Sequence, residues 1–308
     1  MSTSCLPHPR LSKSLILFVS LAFLISLVAA SSAGAAWPGR DGAIAFERGT
    51  HIWVQLPSGR QRQLTSGEAA DGEPTYSRDG KSIAFVRYEG GDSDIWVMDS
   101  DGTDQRPVTQ TSASEVQPAF FPSGASLVFL RSSPSTGFVI FSARLDGTGE
   151  RQLATGATFP TVSPNGRWLA FTRRPSRDGI GLVDLRDGRE RRLPAGRAQE
   201  PDFSPDGSRL VYVGQRLCGT KGSQRLAVLT IGLRARAPRM LHRSCREGFL
   251  PYSPVWSPRG NRILFVRRDN PRGAADSRLQ MLNLRGALVP GAPRHREGES
   301  TPSWQPLR

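Results

Sequence analysis

Pro74 opens the stretch PTYSRDGKSIAFVR, which ends at Arg87. It divides into three parts: a short strand to Ser77, a turn at Arg78-Asp79-Gly80-Lys81, and an alternating β-rich run from Ser82 to Tyr88. Asp-Gly suits the turn because Gly accepts φ > 0 and Asp bonds the backbone that follows it. Alternation of apolar and polar residues is the mark of a half-buried strand. The same phrase returns as PAFFPSGASLVFLR from Pro118, PTVSPNGRWLAFTR from Pro160, PDFSPDGSRLVYVG from Pro201 and PVWSPRGNRILFVR from Pro254. A truncated copy, PSWQPLR, begins at Pro302. The signature prolines are spaced by 44, 42, 41, 53 and 48 residues. A period of this length marks a repeat architecture.

The half missing after Pro302 stands near the other end of the chain, as Arg40-Asp41-Gly42 followed by AIAFER from Ala43 to Arg48. Joined, the two pieces make a sixth copy. The expectation is a ring in which the last strand completes the unit begun by the first. Within the Pro74 copy, Ile95–Met98 reads as a third strand, Asp101-Gly102 as a hairpin and Arg106–Thr109 as an outer fourth strand. HIWVQLPSG from His51, VIFSARLDG from Val139 and IGLVDLRDG from Ile180 repeat the third-strand and hairpin signals. Four strands per repeat of about 45 residues describe a propeller blade. The predicted fold is all-β: a six-bladed β-propeller of four-stranded blades over 36–308, closed by its N- and C-terminal strands. The 32 Gly and 24 Pro suit so many turns.

Residues 1–35 read as a signal peptide. Arg10 and Lys13 precede an apolar run from Leu15 to Ala30, and the small residues Ser31–Ala36 follow. Ala33-Gly34-Ala35 fits the A-x-A cleavage rule and puts the mature start at Ala36 or Trp37. A retained anchor is the alternative. Export places the protein in the periplasm, on the cell envelope or in the medium. It also changes what the net charge of +14 means. Cleavage removes Arg10 and Lys13, leaving +12, and only three of the 41 basic residues are lysines. With no basic run of five and no genome outside the cytoplasm, coding bias explains the arginines as well as a polyanion does. Nucleic acid is therefore not an expected partner. Peripheral contact with acidic polymers or lipid headgroups stays compatible with the charge.

The Pro74–Arg87 phrase, together with IWVMDSDG from Ile95 to Gly102, resembles the TolB-type WD-like propeller repeat. The resemblance covers essentially all of 36–308. It implies a TolB-like propeller without room for the α/β domain that precedes the propeller in that family. It also implies work in the envelope as a scaffold, the family's own partner being a peptidoglycan-associated lipoprotein. Similar propellers cap the active site of prolyl-oligopeptidase-like peptidases, but no G-x-S-x-G elbow is present.

Ligands of propellers meet the mouth where the inner strands begin. The residues just before each signature proline are expected there: Glu73, Gln117, Phe159, Glu200, Ser253 and Thr301. They form either a polar rim for a peptide, glycan end or cation, or solvated strand ends. Glu73 and Glu200 belong to repeats three steps apart, so a six-fold ring puts them on opposite walls. That is too far for a glycosidase pair, which needs about 5–5.5 Å or about 6.5–9.5 Å. His51, His242 and His295 show no metal-ligand spacing, and Asp99–Asp104 reads as a hairpin turn rather than a calcium loop. No metal or cofactor is expected. Cys218 and Cys245 are expected to form a disulfide, as two cysteines of an exported chain. The triplets IAF, LVF, LAF, LVY and ILF, with Trp53 and Trp96, read as blade core. The resulting expectation is a monomeric, non-enzymatic binding propeller that recognises an envelope protein or cell-wall polymer. The alternative is an extracellular hydrolase or lyase acting on glycan or peptide at the same mouth.

Overall fold

The computed structural model describes residues 36–307, apart from 134, 136, 175–177, 219–222, 236, 244–248, 270–276 and 294–297. The predicted signal and Cys245, hence the predicted disulfide, lie outside the described residues. All regular structure among the described residues is β. The chain opens with β1 (Arg40–Arg48), β2 (His51–Gln55) and β3 (Gln61–Gln63), paired in order. Next come β4 (Ala70–Tyr76), β5 (Ser82–Glu89), β6 (Asp92–Asp99) and β7 (Arg106–Pro107). A third set is β8 (Ser114–Phe120), β9 (Ser126–Ser133), β10 (Gly137–Arg144) and β11 (Arg151–Thr155). β12 (Ala157–Val162), β13 (Trp168–Arg173) and β14 (Asp178–Asp184) pair onward into the first half of β15 (Glu190–Phe203). The second half of β15 pairs with β16 (Arg209–Cys218), followed by β17 (Ser223–Gly232) and β18 (Arg239–Arg243). β19 (Leu250–Trp256), β20 (Arg262–Arg268), β21 (Ser277–Asn283) and β22 (Leu288–Val289) complete the series. Finally β23 (Glu299–Leu307) returns to lie antiparallel to β1, with Ile44 opposite Trp304 and Arg48 opposite Glu299.

The first strands of successive sets touch in turn: β4 with β8, β8 with β12, β12 with β15, β15 with β19, β19 with β23, and β23 with β4. This is a β-propeller. β15 is long because it serves twice, as the outer strand of one set and the inner strand of the next. A single bridge from Ser93 to Ser114 likewise couples β6 to β8.

The signature phrase folds the same way wherever it stands. Ser77, Ser163, Ser204 and Ser257 each place Oγ to accept the backbone N–H five residues on, at 2.9–3.2 Å. Ser77 and Ser163 also donate Oγ–H to Asp79 and Asn165 at 2.6 and 2.7 Å. Gly80, Gly124, Gly166, Gly207 and Gly260 hold φ between 67° and 72° at the same step, a region open to Gly and costly for most other residues. These contacts are the reason a Ser-x-x-Gly phrase recurs at the inner hairpins, with Asp or Asn before the Gly in SRDG, SPNG and SPDG.

The apolar triplets that follow are the core. Ile83, Phe85, Leu127, Phe129, Leu169, Leu210, Tyr212, Ile263 and Phe265 are all fully buried. They pack in separate clusters between neighbouring sets, such as Val211, Val228, Trp256, Ile263 and Phe265 between the fifth and last. Trp53 and Trp96 depart from expectation: both are only partly buried. Each lies beneath an arginine, Arg48 at 4.9 Å and Arg87 at 4.3 Å from the ring centre. Facing pairs explain this, since Trp53 lies opposite Phe46 and Trp96 opposite Phe85 at the end of the strand pair where the arginine emerges.

Candidate functional site

Each of the six residues before a signature proline sits on an inner strand with a left-handed backbone. The φ values are 53° at Glu73, 59° at Gln117, 55° at Phe159, 56° at Glu200, 50° at Ser253 and 47° at Thr301. Non-Gly residues rarely adopt this region, and strain of this kind persists only where the surroundings over-determine it. Here the cause is a β-bulge. The pairing register slips between Gly72 and Thr75, Val116 and Ala119, Thr158 and Thr161, Gln199 and Asp202, and Tyr252 and Val255. Proline brings no N–H to the ladder, so it tolerates the slip. The residue before it is turned, and its own N–H points sideways toward the neighbouring set.

Those N–H groups are caught by side chains of the preceding set. Glu73 Oε2 accepts from Gln117 N at 2.6 Å, and Gln117 Oε1 accepts from Phe159 N at 2.7 Å. Glu200 Oε2 accepts from Ser253 N. Phe159 has no acceptor, and there Thr172 on β13 substitutes, accepting from Glu200 N at 3.1 Å. Thr301 is too short to reach, and there Glu47 on β1 accepts from Glu73 N while also accepting from Thr301 Oγ1 at 3.3 Å. Thr172 and Glu47 occupy the same place in their repeats, directly after the Phe of LAFTR and AIAFER. One side chain or the other thus latches each of these sets to the next.

None of the six is a solvated strand end. Glu200 and Gln117 are fully buried, and the others are at most 5% exposed. Burial without a cation raises carboxyl pKa values. It pushes Glu73 up to about 8, with the nearby Glu47 adding to the rise. Burial also takes Glu47 up to about 7, against hydrogen bonds from Thr301, Glu73 and Ser300. Tyr88, facing both, is raised well above its ordinary value by burial and by the two carboxyls. Near neutrality the pair holds at least one proton.

Two residues upstream of the latch, three consecutive sets carry a second constellation. Asp71, Glu115 and Glu299 are buried acids. Arg87 binds Asp71 through Nε at 2.8 Å and Nη2 at 3.0 Å, Arg131 binds Glu115 at 2.6 Å, and Arg48 binds Glu299 at 3.0 Å. Each guanidinium also covers two aromatic rings, for example Phe129 and Phe141 under Arg131 at 5.7 and 4.6 Å. The three arginines are the last letters of AFVR, VFLR and AFER. Composition alone suggested coding bias for the arginine excess, yet at these places lysine would not serve. Lysine has neither the fork for two carboxylate oxygens nor the plane for stacking. Arg87→Lys is expected to lower the unfolding free energy by about 1.5–3 kcal/mol, read from urea denaturation; a loss below about 0.5 kcal/mol would mean the fork is idle.

Elsewhere the surface offers a groove of about 430 Å³ along β21 and β22, lined by Arg278, Met281, Val289 and Pro290 among others. Leu288 on its rim is 43% exposed. Among the described residues, no three His, Cys, Asp or Glu side chains gather to hold a metal ion. Asp99–Asp104 is a hairpin: Gly102 N donates to Asp99 O at 2.9 Å, and Asp101 Oδ1 accepts from Thr103 Oγ1 at 2.6 Å. Cys218 ends β16 opposite Ser223.

Residues 45–195 match the family described as the TolB beta propeller domain. A Tol-Pal system protein TolB from Gluconobacter oxydans (strain 621H) is 34% identical over 207 residues, covering 49% of this chain and 45% of that protein. An uncharacterized peptidase, YuxL, of Bacillus subtilis (strain 168) is 24% identical over 177 residues, or 53% of this chain and 25% of that protein. The chain spans less than half the length of these curated relatives. Among solved structures, TolB from Acinetobacter baumannii superposes with a TM-score of 0.71 over 94% of this chain and 71% of that one, at 20% identity. That likeness concerns the fold.

Proposed function

We propose, from the membership of this chain in the TolB-like β-propeller family, that it is an exported, non-enzymatic binding scaffold of the cell envelope. In this reading residues 1–35 are a cleaved signal, and 36–308 form a closed ring of six blades. Cys218 and Cys245 form a bridge, and the protein works as a monomer without cofactor. Its ligand is an envelope protein or a cell-wall polymer, met at the channel mouth whose backbone the buried residues Glu73, Gln117, Phe159, Glu200, Ser253 and Thr301 hold in shape.

The observation that carries this reading is the latch. Left-handed backbone at six equivalent inner-strand positions is a strained, repeated feature held by bonds between neighbouring sets. Such strain concentrates where a rigid recognition surface is needed, and a rim fixed before binding loses little entropy on binding. The latch commits one oxygen each of Glu73 and Glu200 to a backbone N–H of the neighbouring set, a structural use of both carboxyls.

The test immobilises the processed chain and passes over it solubilised envelope proteins, peptidoglycan fragments and anionic wall polymer from the same cells. Saturable retention of one class, lost when the mouth is blocked by a cross-linked peptide cap, is the expected result. The match to a peptidase keeps a hydrolase in view. Turnover of peptide or glycan substrates by the pure chain, with nothing retained, would put that second reading in place of the first.

A further inference from the structure

Chain ends normally fray, and the first residues of a domain are poorly ordered unless something holds them. Here the first two described residues are both buried. Ala36 is 5% exposed and Trp37 is 2% exposed. Ala36 packs with Val211, Phe249 and Trp256, whereas Trp37 packs with Val86, Val116 and Phe120 in the opposite half of the fold. The Trp37 indole N–H donates to Tyr76 O at 3.1 Å, and Gly39 N donates to Pro258 O at 3.3 Å. The segment therefore lies across the fold, near where the inner strands end.

Beside Ala36 lies Asp202, a carboxyl with no exposed surface. Its Oδ2 accepts from Trp256 N at 2.7 Å, and the backbone N–H groups of Ala36 and Phe203 also face the carboxyl. Its Oδ1 is buried and has no hydrogen bond of ordinary geometry. No cationic side chain pairs with Asp202 among the described ion pairs. An isolated buried carboxylate is costly and stays protonated instead, and burial does hold the Asp202 carboxyl well above the ordinary carboxylate range.

The residue whose N–H faces this carboxyl is the one that follows Ala33-Gly34-Ala35. We propose that Asp202 is the seat of the mature N-terminus: once the Ala35–Ala36 bond is cut, the α-ammonium of Ala36 forms a buried ion pair with the Asp202 carboxylate. A signal peptidase adds water across that bond. Ala35 leaves with the new carboxylate, and the Ala36 amine takes a proton. One amide N–H thereby becomes three donors and a positive charge, enough to satisfy Oδ1 and to let Asp202 ionise. Export would then finish the packing of the fold, and an unprocessed chain would carry an uncompensated acid in its core. The inference rests on cleavage after Ala35, the signal reading proposed above.

The full-length chain is expressed, exported and purified, and its first residue is determined. The native and urea-unfolded protein are then treated with an amine-acylating reagent near pH 8, and adducts are mapped by peptide mass. After residue 35 only Lys81 and Lys221 carry other amines, so the N-terminal adduct is read without crowding. A paired ammonium has its pKa raised, and each unit cuts the reactive neutral fraction about tenfold. Acylation of Ala36 is expected to be at least about tenfold slower in the native protein than in the unfolded one, and Asp202→Asn is expected to abolish that protection. Equal rates in native and unfolded protein would overturn the proposal, as would undiminished protection in a folded Asp202→Asn. Should that variant not fold, the cleavage-blocked Ala35→Leu precursor decides. Its thermal midpoint is expected below that of the processed chain, and an equal midpoint overturns the seat. A first residue other than Ala36 removes cleavage after Ala35 and the proposal with it, whereas an exposed amine on Ala36 removes the proposal alone.

Discussion

A chain ending at Gly298 is expected to lose cooperative unfolding altogether. The ten residues removed include all of β23, the inner strand for β1. Their loss uncovers Ile44 and Phe46, which pack with Trp304, Val255 and Leu264. It leaves Arg48 without Glu299 and frees Tyr76 N from Ser303 Oγ, now 3.0 Å away. Gln305 also serves both neighbours, accepting from Ala43 N at 3.2 Å and donating to Gly80 O at 2.8 Å. Removing a buried Trp alone costs about 3–5 kcal/mol, and a buried arginine left without its acid costs a similar amount. Against a total stability of about 5–15 kcal/mol, nothing remains to hold the fold. The edge of β1 would be left as an unpaired apolar template for aggregation. Fluorescence and far-UV circular dichroism against urea measure the loss, and a synthetic peptide of residues 299–308 added during refolding should partly restore the transition. A truncated chain with an unchanged sigmoid would show that the strand contributes nothing essential, and with it the proposed closed ring would go.

That strand was legible because its half-phrase at Pro302 lacked a second half, and AIAFER lacked a first. The hairpin between the inner two strands was legible too, as Ser-x-x-Gly has one local purpose. Strand ends moved only slightly: the run expected from Ser82 to Tyr88 is β5, Ser82–Glu89. The latch was not legible. Its bonds join residues 26–53 positions apart, and its geometry depends on a bulge that no alternation pattern marks. Glu73 and Gln117 were singled out by position alone, as mouth residues, and their burial was missed. Glu47 and Thr172 were missed entirely, since each stands where the other repeats carry Val or Leu. Comparing copies would have found them: a polar letter inside an apolar triplet-plus-one stands beside a repeat whose pre-proline residue cannot reach.

Stability is expected to fall as pH rises from about 4.5 to about 8, and Glu73→Gln is expected to flatten that fall. The sign follows from proton binding. Glu73 and Glu47 have folded values near 8 and 7, against 4.5 for an unhindered glutamate. Between those limits the folded chain holds protons that the unfolded chain has released, so raising the pH favours unfolding. Each extra proton contributes a slope of up to about 1.4 kcal/mol per pH unit. Below about 4.5 both states are protonated and the dependence on this pair vanishes. Glutamine is the informative replacement because the protein already uses it: Gln117 performs the same latch one set further on with a neutral amide. In Glu73→Gln, Oε1 can still accept from Gln117 N, while the neutral amide puts no second charge beside Glu47. At pH 5 the variant should match the parent within about 0.5 kcal/mol. At pH 8 it should be the more stable of the two, by on the order of 2 kcal/mol. Glu73→Ala separates the two contributions, because it removes the buried charge but strands the Gln117 N–H, a loss of about 1–3 kcal/mol at either pH. Urea midpoints at pH 5, 6.5 and 8 read all three proteins. Parallel pH slopes for the parent and Glu73→Gln would show that Glu73 takes up no proton in this range, and that the latch on β4 works through a carboxylate ionised throughout.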